Sequence, residues 1–119
     1  MPDNGEIICA EKRFGSGCDF MRLDGRIIAN LFEVKQCHLS LTDATRAIKE
    51  LNQTREHVRR ESLVSDGCKF NMFLIHVKKG NCRTDAIAAI LLESNSVRLL
   101  RSDDETIVPF YRKYLESCG

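Results

Sequence analysis

Histidine and cysteine are the residues of this chain whose types could act as nucleophiles, general bases or soft-metal ligands. Of the three histidines, His76 lies in an otherwise apolar run, and we interpret it as a hydrogen-bonded core-edge histidine rather than a general base. Cys37 and His38 form the one adjacent thiol–imidazole pair, but neighbours on an extended strand point to opposite faces. The sequence therefore predicts no catalytic residue and favours a protein that is not an enzyme. His76 and Cys82 are the least unfavourable catalytic candidates.

The spacings that place two ligands on one metal ion are also missing. The chain contains neither Cys-x-x-Cys nor His-x-x-x-His. Cys68, His76 and Cys82 are close in sequence, but Cys68 and His76 would stand at opposite ends of one strand that rises about 3.3 Å per residue. Gly15-Ser16-Gly17 is too short for a phosphate-binding loop. We therefore predict no metal site and no cofactor.

Any candidate residue must be positioned by the surrounding elements, and the clearest of these is Cys68–Val77. Its alternate residues are apolar on both faces, which predicts a strand in the middle of a sheet that is covered on both sides. Lys78-Lys79-Gly80-Asn81 then predicts a turn.

The N-terminal third predicts a small β-meander. Glu6–Ala10 and Cys18–Leu23 are strand candidates, and Asp24-Gly25 is a strong hairpin signal. Arg26–Val34 would be the returning strand.

Leu39–Arg60 is the clearest helix, with apolar residues at helical spacing. Ser40 or Thr42 could cap it, and Ser40 with Asp43 has the form of a capping box.

Two further segments of the C-terminal half have mixed or interrupted patterns. Thr84–Glu93 has good helix propensity, but it follows a turn closely and could form a hairpin with Val97–Leu100. We favour a strand narrowly and leave the helix open.

Pro109 suits the first turn of a helix, so Thr106–Val108 is predicted to be extended and Pro109–Cys118 helical, with Phe110, Tyr114 and Leu115 on the buried side.

Taken together, these elements predict a single compact domain over residues 1–119, with residues 1–5 frayed. Its fold class is α+β: a single antiparallel-rich sheet of five to six strands, one long helix packed on it and a short C-terminal helix.

Composition restricts the function classes and the compartment. The 18 basic and 17 acidic residues give a net charge of +1, so no strong overall field draws the protein to nucleic acid or lipid. No apolar run approaches the roughly 20 residues of a membrane span, and the first residues do not resemble a signal peptide. We expect the six cysteines to be reduced in a cytoplasmic or nuclear protein.

The favoured function is a non-catalytic protein–protein interaction module or small complex subunit, which would bind another protein or a second copy of itself. Its interaction residues would be apolar residues in excess of one core face: Ile27, Ile28, Leu31 and Phe32. The alternative is RNA or DNA binding through a basic helix surface. Its contacts would be Arg46, Lys49, Arg55, Arg59, Arg60, Lys78 and Lys79.

Overall fold

The computed structural model describes residues 6–119, which form four helices and four strands. In chain order they are α1 (Ala10–Phe14), β1 (Phe20–Asp24), β2 (Ile28–Gln36), α2 (Leu41–Arg60), β3 (Lys69–Val77), α3 (Ala86–Ser94), β4 (Val97–Arg101) and α4 (Val108–Ser117).

The sheet of residues 6–119 is mixed, and its strand order is β1-β2-β3-β4. Only β1 and β2 pair antiparallel, whereas β2 with β3 and β3 with β4 are parallel. The predicted antiparallel-rich sheet of five to six strands is therefore wrong. Each parallel pair requires a crossover connection, and α2 and α3 provide the two crossovers.

The N-terminal third is one hairpin and a short helix, not a three-stranded meander. The Asp24-Gly25 turn is confirmed, since Gly25 has φ 62° and Asp24 pairs with Ile28. The predicted strand over Glu6–Ala10 is reduced to a single bridge between Ile8 and Met21.

The long helix and its cap are confirmed. The Ser40 hydroxyl accepts a hydrogen bond from Asp43 N, and Ser40 N donates to the Asp43 carboxylate at 2.9 Å. This reciprocal pair satisfies backbone donors that the first helical turn leaves free.

The narrow preference for a strand over Thr84–Glu93 is wrong, because α3 occupies most of this segment. Asp85 caps the helix by accepting a hydrogen bond from Ile87 N at 2.9 Å. Residues Val97–Arg101 do form a strand, but it pairs parallel to β3 instead of forming a hairpin.

Both faces of the sheet are covered, which confirms the prediction that β3 is a central strand. Leu31, Leu74 and Leu92 belong to the core between the sheet and helices α2 and α3. On the opposite face, Phe32 and Ile75 pack in a second core, against which α4 lies.

Helix α4 begins one residue before Pro109, so the predicted helix is confirmed, but Thr106 and Ile107 form a turn and are not extended. Phe110 and Tyr114 pack against the second core, as predicted. Leu115 is 48% exposed instead of buried.

A disulfide joins Cys9 to Cys118, and the other four cysteines are free. The reduced state that we expected for all six cysteines is therefore not shown. None of the helices within residues 6–119 has the length and apolar character needed to cross a membrane.

Candidate functional site

Two acidic residues from adjacent strands of the hairpin meet beside the sheet. Asp19 lies just before β1, and its backbone N donates to Glu33 Oε1 at 3.1 Å. In return, Val34 N on β2 donates to Asp19 Oδ2 at 2.7 Å. These two bonds fix the Asp19 carboxylate and the Glu33 carboxylate next to each other.

Lys35 shares the face of β2 that carries Glu33. Side chains alternate along a strand, so Glu33 and Lys35 face α2, while Val34 packs in the core on the α4 side. The Lys35 ammonium lies 3.3 Å from Asp43 Oδ1, in the first turn of α2. The capping carboxylate therefore also orients this lysine.

The charged groups line a cavity of about 190 Å³ between β2 and α2. Four carboxylates and two cations contribute to it: Asp19, Glu33, Asp43 and Glu50, with Lys35 and Arg46. Burial, the Asp19 charge and the Glu50 carboxyl raise the pKa of Glu33 well above the usual carboxyl range. The neutral form of Glu33 is therefore favoured in the empty cavity, and a bound cation would favour its ionised form.

The loop before β1 fixes the position of Asp19. Gly17 has φ +109°, and a Cβ there would lie 2.3 Å from Thr54 Oγ1 on α2. The same hydroxyl accepts a hydrogen bond from Cys18 N at 2.8 Å. The glycine thus allows the chain to approach α2 closely immediately before the acidic residue.

Two shallower recesses continue from the cavity along α2. The first, of about 360 Å³, shares Arg46 and Glu50 with the cavity. The second, of about 440 Å³, shares Lys49 and Gln53 with the first. We call the continuous surface that the two recesses form the α2 furrow. Its remaining lining residues are Glu11, Gly15, Ser16, Gly17, Asn52, Glu56, His57 and Arg60.

The predicted nucleic-acid contacts separate into three groups. Arg46, Lys49 and Arg60 line the α2 furrow. Arg55 and Arg59 instead stack over the Phe70 ring, with guanidinium carbons 5.1 and 5.0 Å from its centroid. Lys78 and Lys79 follow the end of β3, outside the furrow lining.

The four predicted interaction residues differ in exposure. Ile27 is 64% exposed, and Ile28 is half-buried. Leu31 and Phe32 are buried in the two cores on opposite faces of the sheet. These apolar residues exceed a single core face because the hairpin is covered on both faces of the sheet.

The sequence candidates for an enzyme lie near the end of β3. His76 is buried, and its ring nitrogens contact Cys37 O and Thr84 Oγ1, the latter at 3.0 Å. Cys82 lies in the loop after β3. His38 Nδ1 accepts a hydrogen bond from Arg83 N at 3.1 Å.

The sequence reasoning missed Asp19, Glu33 and Lys35. A signal for two of them was present. Ala29 and Leu31 begin one face of β2 with apolar side chains, and the same face continues as Glu33 and Lys35. Charged residues on the helix-covered face of a strand depart from the apolar pattern of a core face, so they mark a candidate site.

In the part of the chain that the structure describes, no three His, Cys, Asp or Glu side chains are arranged to hold a metal ion on their own. Comparisons of the chain with protein-family models, curated proteins and solved structures gave no match. A functional interpretation therefore rests on the chemistry of the cavity and the furrow.

Proposed function

We propose that this protein is a divalent-cation-dependent phosphodiesterase that cleaves a nucleic-acid backbone. The observation that carries the proposal is the contact between Asp19 and Glu33, with Lys35 on the same strand face. Two acceptor groups and one cation in the same cavity suit a metal ion and a phosphate side by side. This replaces our sequence-based preference for a non-catalytic module, which stays an untested prediction.

The carboxylate pair supports a small hard cation such as Mg²⁺. Magnesium is commonly held by one or two carboxylates, and waters and substrate phosphate oxygens complete its six ligands. Asp19 and Glu33 would be the protein ligands, with Glu50 close enough to Glu33 to orient a bound water. A site completed by its substrate does not require three preformed protein ligands.

Lys35 supports the phosphate part of the site. Held beside the carboxylates by Asp43, its ammonium could donate to a phosphate oxygen and stabilise the negative charge that grows there during hydrolysis. The bound cation would supply an activated water and polarise the phosphate. Asp19 and Glu33 would keep that cation, and therefore the water, at a fixed distance from the lysine.

The α2 furrow supports a polymeric substrate. Arg46 and Arg60 are 14 residues apart on one helix, which corresponds to about 21 Å. Lys49, Asn52 and Gln53 lie between them along the lining. Cations and amides over this length suit an extended backbone of phosphates, although Glu11, Glu50 and Glu56 in the same lining offset the charges of the three cations.

The test is a cleavage assay with end-labelled single- and double-stranded DNA and RNA, with Mg²⁺ or with EDTA. We expect Mg²⁺-dependent cleavage that falls at least about hundredfold in Glu33→Gln and in Lys35→Met, the loss typical of removing an electrostatic catalytic group. Glu93→Gln is the matched control, because Glu93 is exposed on α3. Cleavage that survives EDTA, or that Glu33→Gln retains, would contradict the proposal.

Binding can be tested separately from cleavage. With Ca²⁺ in place of Mg²⁺, Lys49→Glu should weaken affinity for labelled DNA and lower the salt dependence of binding. Arg55→Glu is the matched change on the same helix, since Arg55 stacks on Phe70 outside the furrow lining. Equal losses from both variants would mean that the nucleic acid does not follow the furrow.

Protein docking is our second candidate, favoured by the 64% exposure of Ile27 in the turn between β1 and β2. An isoleucine this exposed in a turn suits the apolar centre of an interface. Ile27→Asp should abolish capture of a stoichiometric partner from the native cell while the variant retains a cooperative melt. Capture that survives this change would remove Ile27 as the docking site.

A further inference from the structure

Two free thiols face each other at the end of the parallel strands. Cys37 follows the last residue of β2, and Cys82 lies between β3 and α3. The interaction between the two thiols raises the pKa of Cys37 and lowers the pKa of Cys82.

The backbone holds the two segments together on both sides of this contact. Cys37 N donates to Val77 O at 3.0 Å, which ties the start of the first segment to the end of β3. Leu39 N donates to Arg83 O, and Asp85 N donates to Leu39 O, both at 2.9 Å. These backbone hydrogen bonds therefore hold the Cys37 segment beside the Cys82 segment.

The surroundings of Cys82 favour its thiolate. The contact with Cys37, hydrogen bonding to the Lys79 backbone and the charges of Lys78 and Lys79 lower the pKa of Cys82. Lys79 N donates to the Cys82 sulfur at 3.4 Å, and the neutral Cys82 thiol donates to Lys79 O at 2.8 Å. Cys37 is exposed, so a reagent can approach the pair from solvent.

The other free cysteines have different surroundings. Burial raises the pKa of Cys18 to about 12, and burial also raises the pKa of Cys68. Neither has a second free thiol among the groups that perturb it. A nucleophilic sulfur beside a second sulfur is therefore a property of the Cys37–Cys82 pair.

We propose that Cys37 and Cys82 form a two-thiol redox site that reacts with a hydroperoxide and closes to a reversible intramolecular disulfide. The Cys82 thiolate attacks one peroxide oxygen, the O–O bond breaks, and the leaving alkoxide or hydroxide takes a proton. Cys82 is then a sulfenic acid. The Cys37 sulfur attacks it, the S–S bond forms, the S–O bond breaks, and hydroxide leaves with the thiol proton as water. Overall, two thiols lose two electrons and the peroxide gains them.

The site does not depend on the proposed phosphodiesterase. Its disulfide would link the β2–α2 connection to the β3–α3 connection, beside the pairing of Leu39 with Thr84. A second thiol or thioredoxin-type reductant would open it again.

A tryptic digest can identify which cysteines are linked, because trypsin would place each of the six cysteines in a separate peptide. The full-length reduced chain is treated with hydrogen peroxide, remaining thiols are alkylated, and the digest is read by mass spectrometry. We expect peptides 36–46 and 80–83 to be linked within one molecule, at least about tenfold more than any other newly formed pair apart from Cys9–Cys118. Dithiothreitol should reverse the link.

Variants separate the two chemical roles. Cys37→Ser should leave Cys82 as a sulfenic acid that dimedone traps, because the second sulfur is missing. Cys68→Ser is the matched control and should form the Cys37–Cys82 link as the parent does. The proposal is overturned if Cys37 and Cys82 stay alkylatable after peroxide treatment, if their link forms only between molecules, or if Cys37→Ser yields no dimedone adduct at Cys82.

Discussion

Asp43 Oδ1 lies 3.3 Å from Lys35 Nζ, while the other oxygen of the same carboxylate accepts a hydrogen bond from Ser40 N in the capping box of α2. One side chain thus connects the start of the longest helix to the lysine of the candidate site. The stability of the helix end and the position of the lysine are therefore coupled, and each can be tested through the residues of the cap.

Removing the cap hydroxyl should destabilise the protein without altering the core. Ser40→Ala should lower the free energy of unfolding by about 0.5–2 kcal/mol, because Asp43 N loses its acceptor. Thr42→Ala is the matched control, since Thr42 is exposed in the same turn and is not the cap residue. Urea denaturation of both variants measures the difference. Equal losses would show that the Ser40 hydroxyl is not the cap.

The Asp43 carboxylate should make the stability of the protein depend on pH in the acid range. Backbone hydrogen bonding from Ser40, with smaller contributions from its hydroxyl and from Lys35, lowers the pKa of Asp43 below that of an unfolded Asp, about 3.9. A lowered folded-state pKa gives stability that is present above the unfolded value and is lost as pH falls through the folded value. The melting temperature of the parent should therefore exceed that of Asp43→Asn at neutral pH, and the gap should close at low pH. A gap that stays constant with pH would exclude this linkage.

Local signals in the sequence were sufficient where one residue type determines the backbone. Asp24-Gly25 predicted the hairpin turn, Ser40 with Asp43 predicted the capping box, and Pro109 predicted the start of the last helix to within one residue. Each of these predictions depends on a property of the residue itself, either a restricted dihedral angle or a side-chain hydrogen-bond acceptor.

The pairing of the strands could not be predicted in the same way, because the sequence of α3 has no hydrophobic periodicity. Its residues Ala86–Leu92 are apolar at every position, so they show neither helical nor strand alternation. Interpreting that segment as a strand excludes the parallel pairing of β3 with β4, because α3 is the connection that allows this pairing. Asp19 and Glu33 are distant in sequence and meet only because β1 pairs with β2.

The close approach of the β1 loop to α2 should tolerate no side chain at Gly17. Gly17→Ala places a Cβ 2.3 Å from Thr54 Oγ1 at a backbone angle that L-residues rarely adopt. Gly15→Ala is the matched control, because Gly15 also has positive φ but has open space where the Cβ would be. We expect a loss of about 1–2 kcal/mol for Gly15→Ala and a clearly larger loss for Gly17→Ala. Thermal melts that rank the two variants in the opposite order would contradict the geometry.

The Glu33 carboxylate should stabilise a bound cation and should lower the free energy of unfolding when no cation is bound. Burial beside Asp19 and Glu50 makes its negative charge unfavourable, so Glu33→Gln should raise the free energy of unfolding in EDTA by about 1 kcal/mol, the scale of one like-charge contact near 4 Å in water. Added Mg²⁺ binds only the folded state of the parent, so it should raise the parent's melting temperature and leave that of Glu33→Gln almost unchanged. Calorimetric melts with and without Mg²⁺ measure both effects. If Glu33→Gln is less stable than the parent in EDTA, the carboxylate supports the fold itself. A Mg²⁺ response equal in both proteins would place the cation elsewhere.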